Sequence, residues 1–368
     1  MGALLTNPAV LLLLLWGASE LARRWLVGRG APAIPSGAIV MAGGIFVIAA
    51  LGQLGLPPIL GRLAALELLV VWGYLAYGYA RMAWRGELGG SVRQRPMMAF
   101  AVGTWVAGSA VLGRALIEVL PGGRPVGFVL WVIAVAVWVG YLGLLPAAFR
   151  AAANVSEGYR ANGAVLLPTV ATQSLVVAGS ALVPGLMPRP VAAVLIVLGY
   201  LFYAAGLVLI LRRYLARSDW NVADGWENTN CIVHGAMSIT GLAIVVSGAL
   251  PPVWAVATWA WVVATFVLVE AVEAVRAVVR ARAYGAGGGA FGYFASQWSR
   301  NFTFGMFYAF TLQLNRSPAA PDGWAAGLQG VILNYGHYVV LAFLIAEMFV
   351  FFYDRTGAAF SRAKAAGS

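Results

Sequence analysis

The chain has 368 residues, 61% of them hydrophobic and 10% charged. A soluble domain carries about 25% charged residues, so this chain lacks the polar surface to clothe a globule in water. Its long unbroken apolar runs exclude the alternating segments of a transmembrane barrel. The single cysteine, Cys231, excludes a disulfide scaffold, and with two histidines it makes no cysteine/histidine zinc site. The net charge of +11 comes from 23 arginines and one lysine scattered between apolar runs. That is the pattern of membrane-protein loops, not of a nucleic-acid surface.

A crossing helix needs about 20 apolar residues. By that measure spans fall near 5–23, 34–56, 65–82, 97–117, 126–148, 164–186, 190–211, 229–249, 253–275, 299–315 and 326–352. Pro and Gly punctuate the joints, and Gly285–Gly289 reads as a flexible loop. One set of alternate loops, with the C-terminal tail, holds 18 basic residues, among them Arg23, Arg24, Arg29, Arg213, Arg217, Arg276, Arg280, Arg362 and Lys364. The other set holds only Arg62, Arg124, Arg189 and Arg316. The positive-inside rule then puts the C-terminus in the cytoplasm and, with eleven spans, the N-terminus outside a cell (inner) membrane. The arginines of 5–23 follow its apolar run, which suits a retained helix rather than a cleaved signal peptide. The expected fold is an all-α polytopic membrane protein.

Ionisable residues inside a membrane are functional candidates because burying their charge is costly. Glu270, Glu273, Arg276 and Arg280 share one face of the ninth span by their spacing of three and four. They make either an ion-paired stripe or a proton relay. Glu20, Glu67 and Glu347 also lie in or near spans. His234 and His337 are the only pair able to ligate a haem. Their depths argue against it: His234 lies roughly 8 Å and His337 roughly 22 Å from the cytoplasmic end of its span at 1.5 Å per residue. Nucleophile elbows, metalloprotease motifs and phosphate-binding loops are missing, so neither an enzyme nor a resident cofactor is expected.

Two segments are unusual for lipid-facing helices. Leu167-Pro168-Thr169-Val170-Ala171-Thr172-Gln173-Ser174 opens the sixth span with a proline and neutral polar groups. Trp298-Ser299-Arg300-Asn301-Phe302-Thr303-Phe304-Gly305 opens the tenth. With Arg95-Pro96 before the fourth span, their order and spacing resemble the tellurite-resistance/dicarboxylate transporter family, which includes the plant slow-type anion channels. The resemblance implies a ten-helix core of five helical hairpins around a central pore, covering residues 34–354. Residues 1–33 then form an extra N-terminal transmembrane helix and linker, and 355–368 a cytoplasmic tail. It implies a homotrimer with one pore per subunit, and inner helices beginning near 34, 97, 164, 229 and 299. Phe304 takes the position of the family's pore-plugging phenylalanine, with Phe302 as the neighbouring candidate. Pro168, Thr169, Thr172, His234, Ser238, Thr303 and Gly305 would line the pore. The chain departs from the family in lacking mid-span prolines in three inner spans and in carrying Glu270 and Glu273.

The expected function is an anion channel or channel-like anion exporter, passing small inorganic or organic anions through a neutral pore with a phenylalanine gate. Hydroxyls and helix-end dipoles can pass anions without holding them, and no acidic residue is expected on an inner helix. One alternative is a proton-coupled carrier of monovalent or dicarboxylate anions using Glu270 or Glu273, with Arg276 as ion-pair partner. From another class, the chain is a haem- or quinone-binding membrane subunit using His234 and His337.

Overall fold

The computed structural model describes residues 8–26, 31–154, 160–215, 220–290 and 293–366. Arg29 and Arg217 lie outside the described residues, as do the side chains of Arg23, Arg24, Arg362 and Lys364. The helices are α1 (Pro8–Leu26), α2 (Ile34–Gln53), α3 (Pro58–Trp84), α4 (Glu87–Gln94), α5 (Met98–Val119), α6 (Arg124–Ala153) and α7 (Gly163–Leu182). They continue as α8 (Arg189–Leu215), α9 (Val222–Gly225), α10 (Asn228–Ser247), α11 (Pro252–Ala290), α12 (Trp298–Asn315) and α13 (Trp324–Ala366).

Each expected span coincides with a helix. Eight of them, α2, α3, α5, α6, α7, α8, α10 and α13, are long and apolar enough to cross a membrane. The apolar part of α1 is shorter, Val10–Glu20. α3 begins at Pro58, seven residues before its expected start, and two further boundaries differ from expectation. The glycines 285–289 continue α11 as helix instead of forming a loop, and α13 runs on past residue 355 to Ala366. Glycine costs about 1 kcal/mol per residue in a helix relative to alanine, so the extension of α11 runs against local propensity.

Burial alternates along the chain. In α2, α5, α7 and α10 the apolar window is 78–83% buried, against 11–28% in α3, α6, α8 and α13. Most of α12 is buried as well, including Phe302, Phe307 and Phe310. The exposed faces of the outer helices carry Val129, Val139, Val194, Leu201, Val267, Leu268, Ile345 and Phe349. Such a surface is stable in lipid and not in water.

The buried helices pack in cyclic order: α2 on α5, α5 on α7, α7 on α10, α10 on α12, and α12 back on α2. Each outer helix lies against the inner helix before it. The first turns of the inner helices repeat the cycle. Ile34–Ser36 touches Met98–Ala101, which touches Gly163–Leu166, then Asn228–Cys231, then Ala295–Gln297, which returns to Ile34–Ser36. Five starting turns gathered at one end mean that the five inner helices run parallel. α1 stands outside this ring, against α3 and α13, with Ser19 donating to Glu67 at 2.6 Å.

Small residues set the closeness of the ring. A Cβ on Gly241 of α10 would overlap the Phe310 ring of α12, and one on Gly305 of α12 would lie 2.6 Å from Ile45 of α2. Where lipid supplies no hydrophobic drive between helices, such close approach is a main source of packing energy. At the end where the inner helices begin, Arg213 is buried. It donates to Ala161 O at 2.7 Å and Gly225 O at 2.6 Å, so it ties loops together rather than standing in water.

Candidate functional site

All five inner helices line a partly open cavity of about 180 Å³. Ile45, Ile48 and Ala49 come from α2, Val111 and Arg114 from α5, and Ser174 and Ser180 from α7. Ile239 and Leu242 of α10 and Met306 and Gln313 of α12 complete the wall. All but Met306, at the middle of α12, lie in the C-terminal halves of their helices, as parallel helices require. In α2 the regular winding loosens to a π turn over Phe46–Ala50, at the level of the cavity. Single π turns inside helices recur at functional sites.

The sequence-derived candidates fall elsewhere. Thr169 donates to Gly199 O of α8 at 3.0 Å. Thr172 donates to Pro168 O at 2.8 Å and accepts from Trp138 of α6 at 3.0 Å. Pro168 sits in the first turn of the α-helical part of α7, Leu167–Leu182, where its missing N–H leaves no gap. Ser238 donates to His234 O at 2.8 Å, and Thr303 to Arg300 O at 3.0 Å. These hydroxyls spend their protons within the protein, the usual outcome for Ser and Thr in apolar helices. None of these residues, nor His234 or Gly305, is among those lining the cavity.

The two phenylalanines separate. Phe304 turns toward the outer helices, its ring centroid 4.6 Å from Phe343 of α13 and 5.0 Å from Phe266 of α11. Phe302 is 2% exposed and shares an α12 face with Met306, Ala309 and Gln313, at spacings of four, three and four. Neither phenylalanine lines the cavity; its shared face places Phe302 just beyond it, on the side nearer the helix starts. A helical wheel drawn through 302–313 would have separated the pair; a motif alignment could not.

The acidic stripe of α11 belongs to an ion-pair cluster spanning four helices. Arg300 of α12 lies 2.7 Å from Glu273 and 3.9 Å from Glu270. Arg276 lies 3.3 Å from Glu273, which also accepts from Trp226 at 3.1 Å. Arg280 pairs with Asp224 at 3.2 Å. His234 of α10 is fully buried, its Nε2 3.5 Å from Glu270, and neither ring nitrogen has a hydrogen-bond partner. Arg300 is the member that spacing on α11 alone did not supply. His337 has a separate setting, its Nδ1 3.2 Å from Leu333 O and its ring 4.0 Å from Tyr338. The two histidines share no neighbour through which they would face one ligand. One acid also stands on an inner helix against expectation: Glu118, in the last turn of α5, is paired with Arg114. The span drawn to residue 117 stopped one residue short of it.

No protein-family model and no curated protein matches this chain.

Proposed function

We propose that the chain is an anion channel or channel-like anion exporter, similar in plan to the tellurite-resistance/dicarboxylate transporters. Its five helical hairpins would surround one pore on the axis of the ring. The observation that carries this is the cavity to which all five inner helices contribute, with a cation and no carboxylate on its wall. A passage between parallel helices also gathers their N-terminal dipole ends at one mouth, where they favour anions. The gate is Phe302 rather than Phe304, because only Phe302 lies on the cavity face of α12. An apolar ring there would block ions by dewetting, and a rotamer change would open the path. The basic end of the ring would face the cytoplasm of a cell (inner) membrane, and the assembly would be a homotrimer, as the family resemblance implies. Anion efflux from liposomes tests this. Phe302→Ala should conduct faster than wild type, and absence of anion flux from both correctly inserted proteins would overturn the proposal.

A second proposal is a proton-coupled carrier of monovalent or dicarboxylate anions. The fully buried His234 beside Glu270, with both ring nitrogens unpartnered, favours it. Glu270→Gln should then abolish proton uptake accompanying anion flux. Anion flux with no proton movement in wild type would eliminate the carrier.

A further inference from the structure

The cavity wall is chemically divided. Arg114 is the only charged residue of the wall among the described residues, and Ser174, Val177 and Ser180 stand on the neighbouring helix α7. Opposite, α2, α10 and α12 present Ile45, Ile48, Ile239, Leu242 and Met306, with Gln313 as the one amide. The Ser174 hydroxyl donates to Val170 O at 2.7 Å. The Ser180 hydroxyl is buried without a hydrogen-bond partner. Arg114 is held from the side: its NH1 donates to Glu118, which is not part of the wall. The remaining guanidinium donors make no other hydrogen bond among the described residues.

A polar strip with one cation, facing an aliphatic wall, is complementary to an anion with one charge and one hydrocarbon part. We propose that the cavity binds a short-chain monocarboxylate, its carboxylate on Arg114 and its tail against the α2, α10 and α12 side. This rests on the proposal above that anions reach the axis of the ring. Size limits the chain. An apolar cavity of roughly 150 Å³ holds benzene, so about 180 Å³ accommodates an acid of four or five carbons. Each buried methylene should raise affinity about fourfold. A dicarboxylate would press its second charge against aliphatic side chains, and a halide would leave the apolar half without contact. Glu118 competes with the ligand for Arg114, so removing its charge strengthens binding.

Calorimetric titration of the protein in nanodiscs with acetate, propionate, butyrate, pentanoate, hexanoate, succinate and chloride tests this. Affinity should climb with chain length to butyrate or pentanoate and fall at hexanoate, with succinate and chloride at least tenfold weaker than butyrate. Arg114→Gln should lose butyrate affinity at least tenfold, and Glu118→Gln should gain it. Val177→Ala, which enlarges the cavity, should move the length limit one carbon longer. Those last two variants carry the test if Arg114→Gln does not fold. A flat chain-length series, succinate or chloride binding as tightly as butyrate, or an unaffected Arg114→Gln would overturn the site. Chain-length-dependent binding without flux of any anion supports the site and overturns conduction. Chloride flux without such binding overturns the site and leaves conduction standing.

Discussion

Arg300 joins two carboxylates of α11 to α12 with one guanidinium, at 2.7 Å from Glu273 and 3.9 Å from Glu270. Glu273 is only 7% exposed, and with Arg300 removed it and Glu270 are left with Arg276 as the one guanidinium of the cluster, with little access to water. Arg300→Gln should therefore destabilise the protein by about 3 kcal/mol, the lower end of the range for breaking a buried pair. Arg300→Met with Glu273→Met should recover much of that loss, because one acid, Glu270, and one cation, Arg276, then remain in the cluster. Thermal unfolding in detergent measures both. The phenylalanines give an opposed pair of outcomes. Phe302→Ala should raise anion flux with oligomeric state retained. Phe304→Ala removes a ring from the Phe266–Phe343 stack, so it should lower stability by about 3 kcal/mol with no gain in flux. Gain of flux at Phe304→Ala alone would return the gate to that position.

At the scale of elements, the contact between α10 and α12 decides how tightly the ring closes. Gly241 leaves room for the Phe310 ring, and the added methyl of Gly241→Ala would collide with it. The substitution should cost about 1–3 kcal/mol through overpacking, and Phe310→Leu in the same chain should restore most of it. Gly73, on α3, has nothing within 4 Å of where its Cβ would stand. Gly73→Ala should accordingly leave stability unchanged or raise it by up to about 1 kcal/mol through helix propensity. Melting temperatures of the three variants check the set; equal losses at Gly241 and Gly73 would contradict the packing account.

For the whole molecule, the alternation of basic and non-basic ends makes orientation measurable. Ser91 lies on α4 at the basic end and Gly323 just before α13 at the other. Cys231 is buried and should give little background. In intact cells an impermeant thiol reagent should label Gly323→Cys and spare Ser91→Cys; the reverse pattern would invert the proposed topology. The mass of the particle in nanodiscs should be that of three chains, and a monomer there would remove the trimer.

The sequence by itself determined that the chain is helical, with several helices long and apolar enough to cross a membrane, and where those helices lie. Those properties follow from local composition: about 20 apolar residues per crossing, prolines and glycines between them, and arginines left in the loops. Two of the five buried inner helices were marked in sequence as well, since Leu167–Ser174 and Trp298–Gly305 carry polar groups that lipid would not accept. The direction each side chain faces was decided only in three dimensions. Thr169 and Thr172 are of a type suited to a pore, yet one bonds α8 and the other receives a bond from α6. Phe302 and Phe304 are two residues apart and so point to opposite sides of one helix. Which side is the cavity depends on where α2, α10, α11 and α13 pack. Arg114, Ser180 and Met306 come together from three helices far apart in the chain. No local pattern carries that meeting, because ring closure between α12 and α2 creates it.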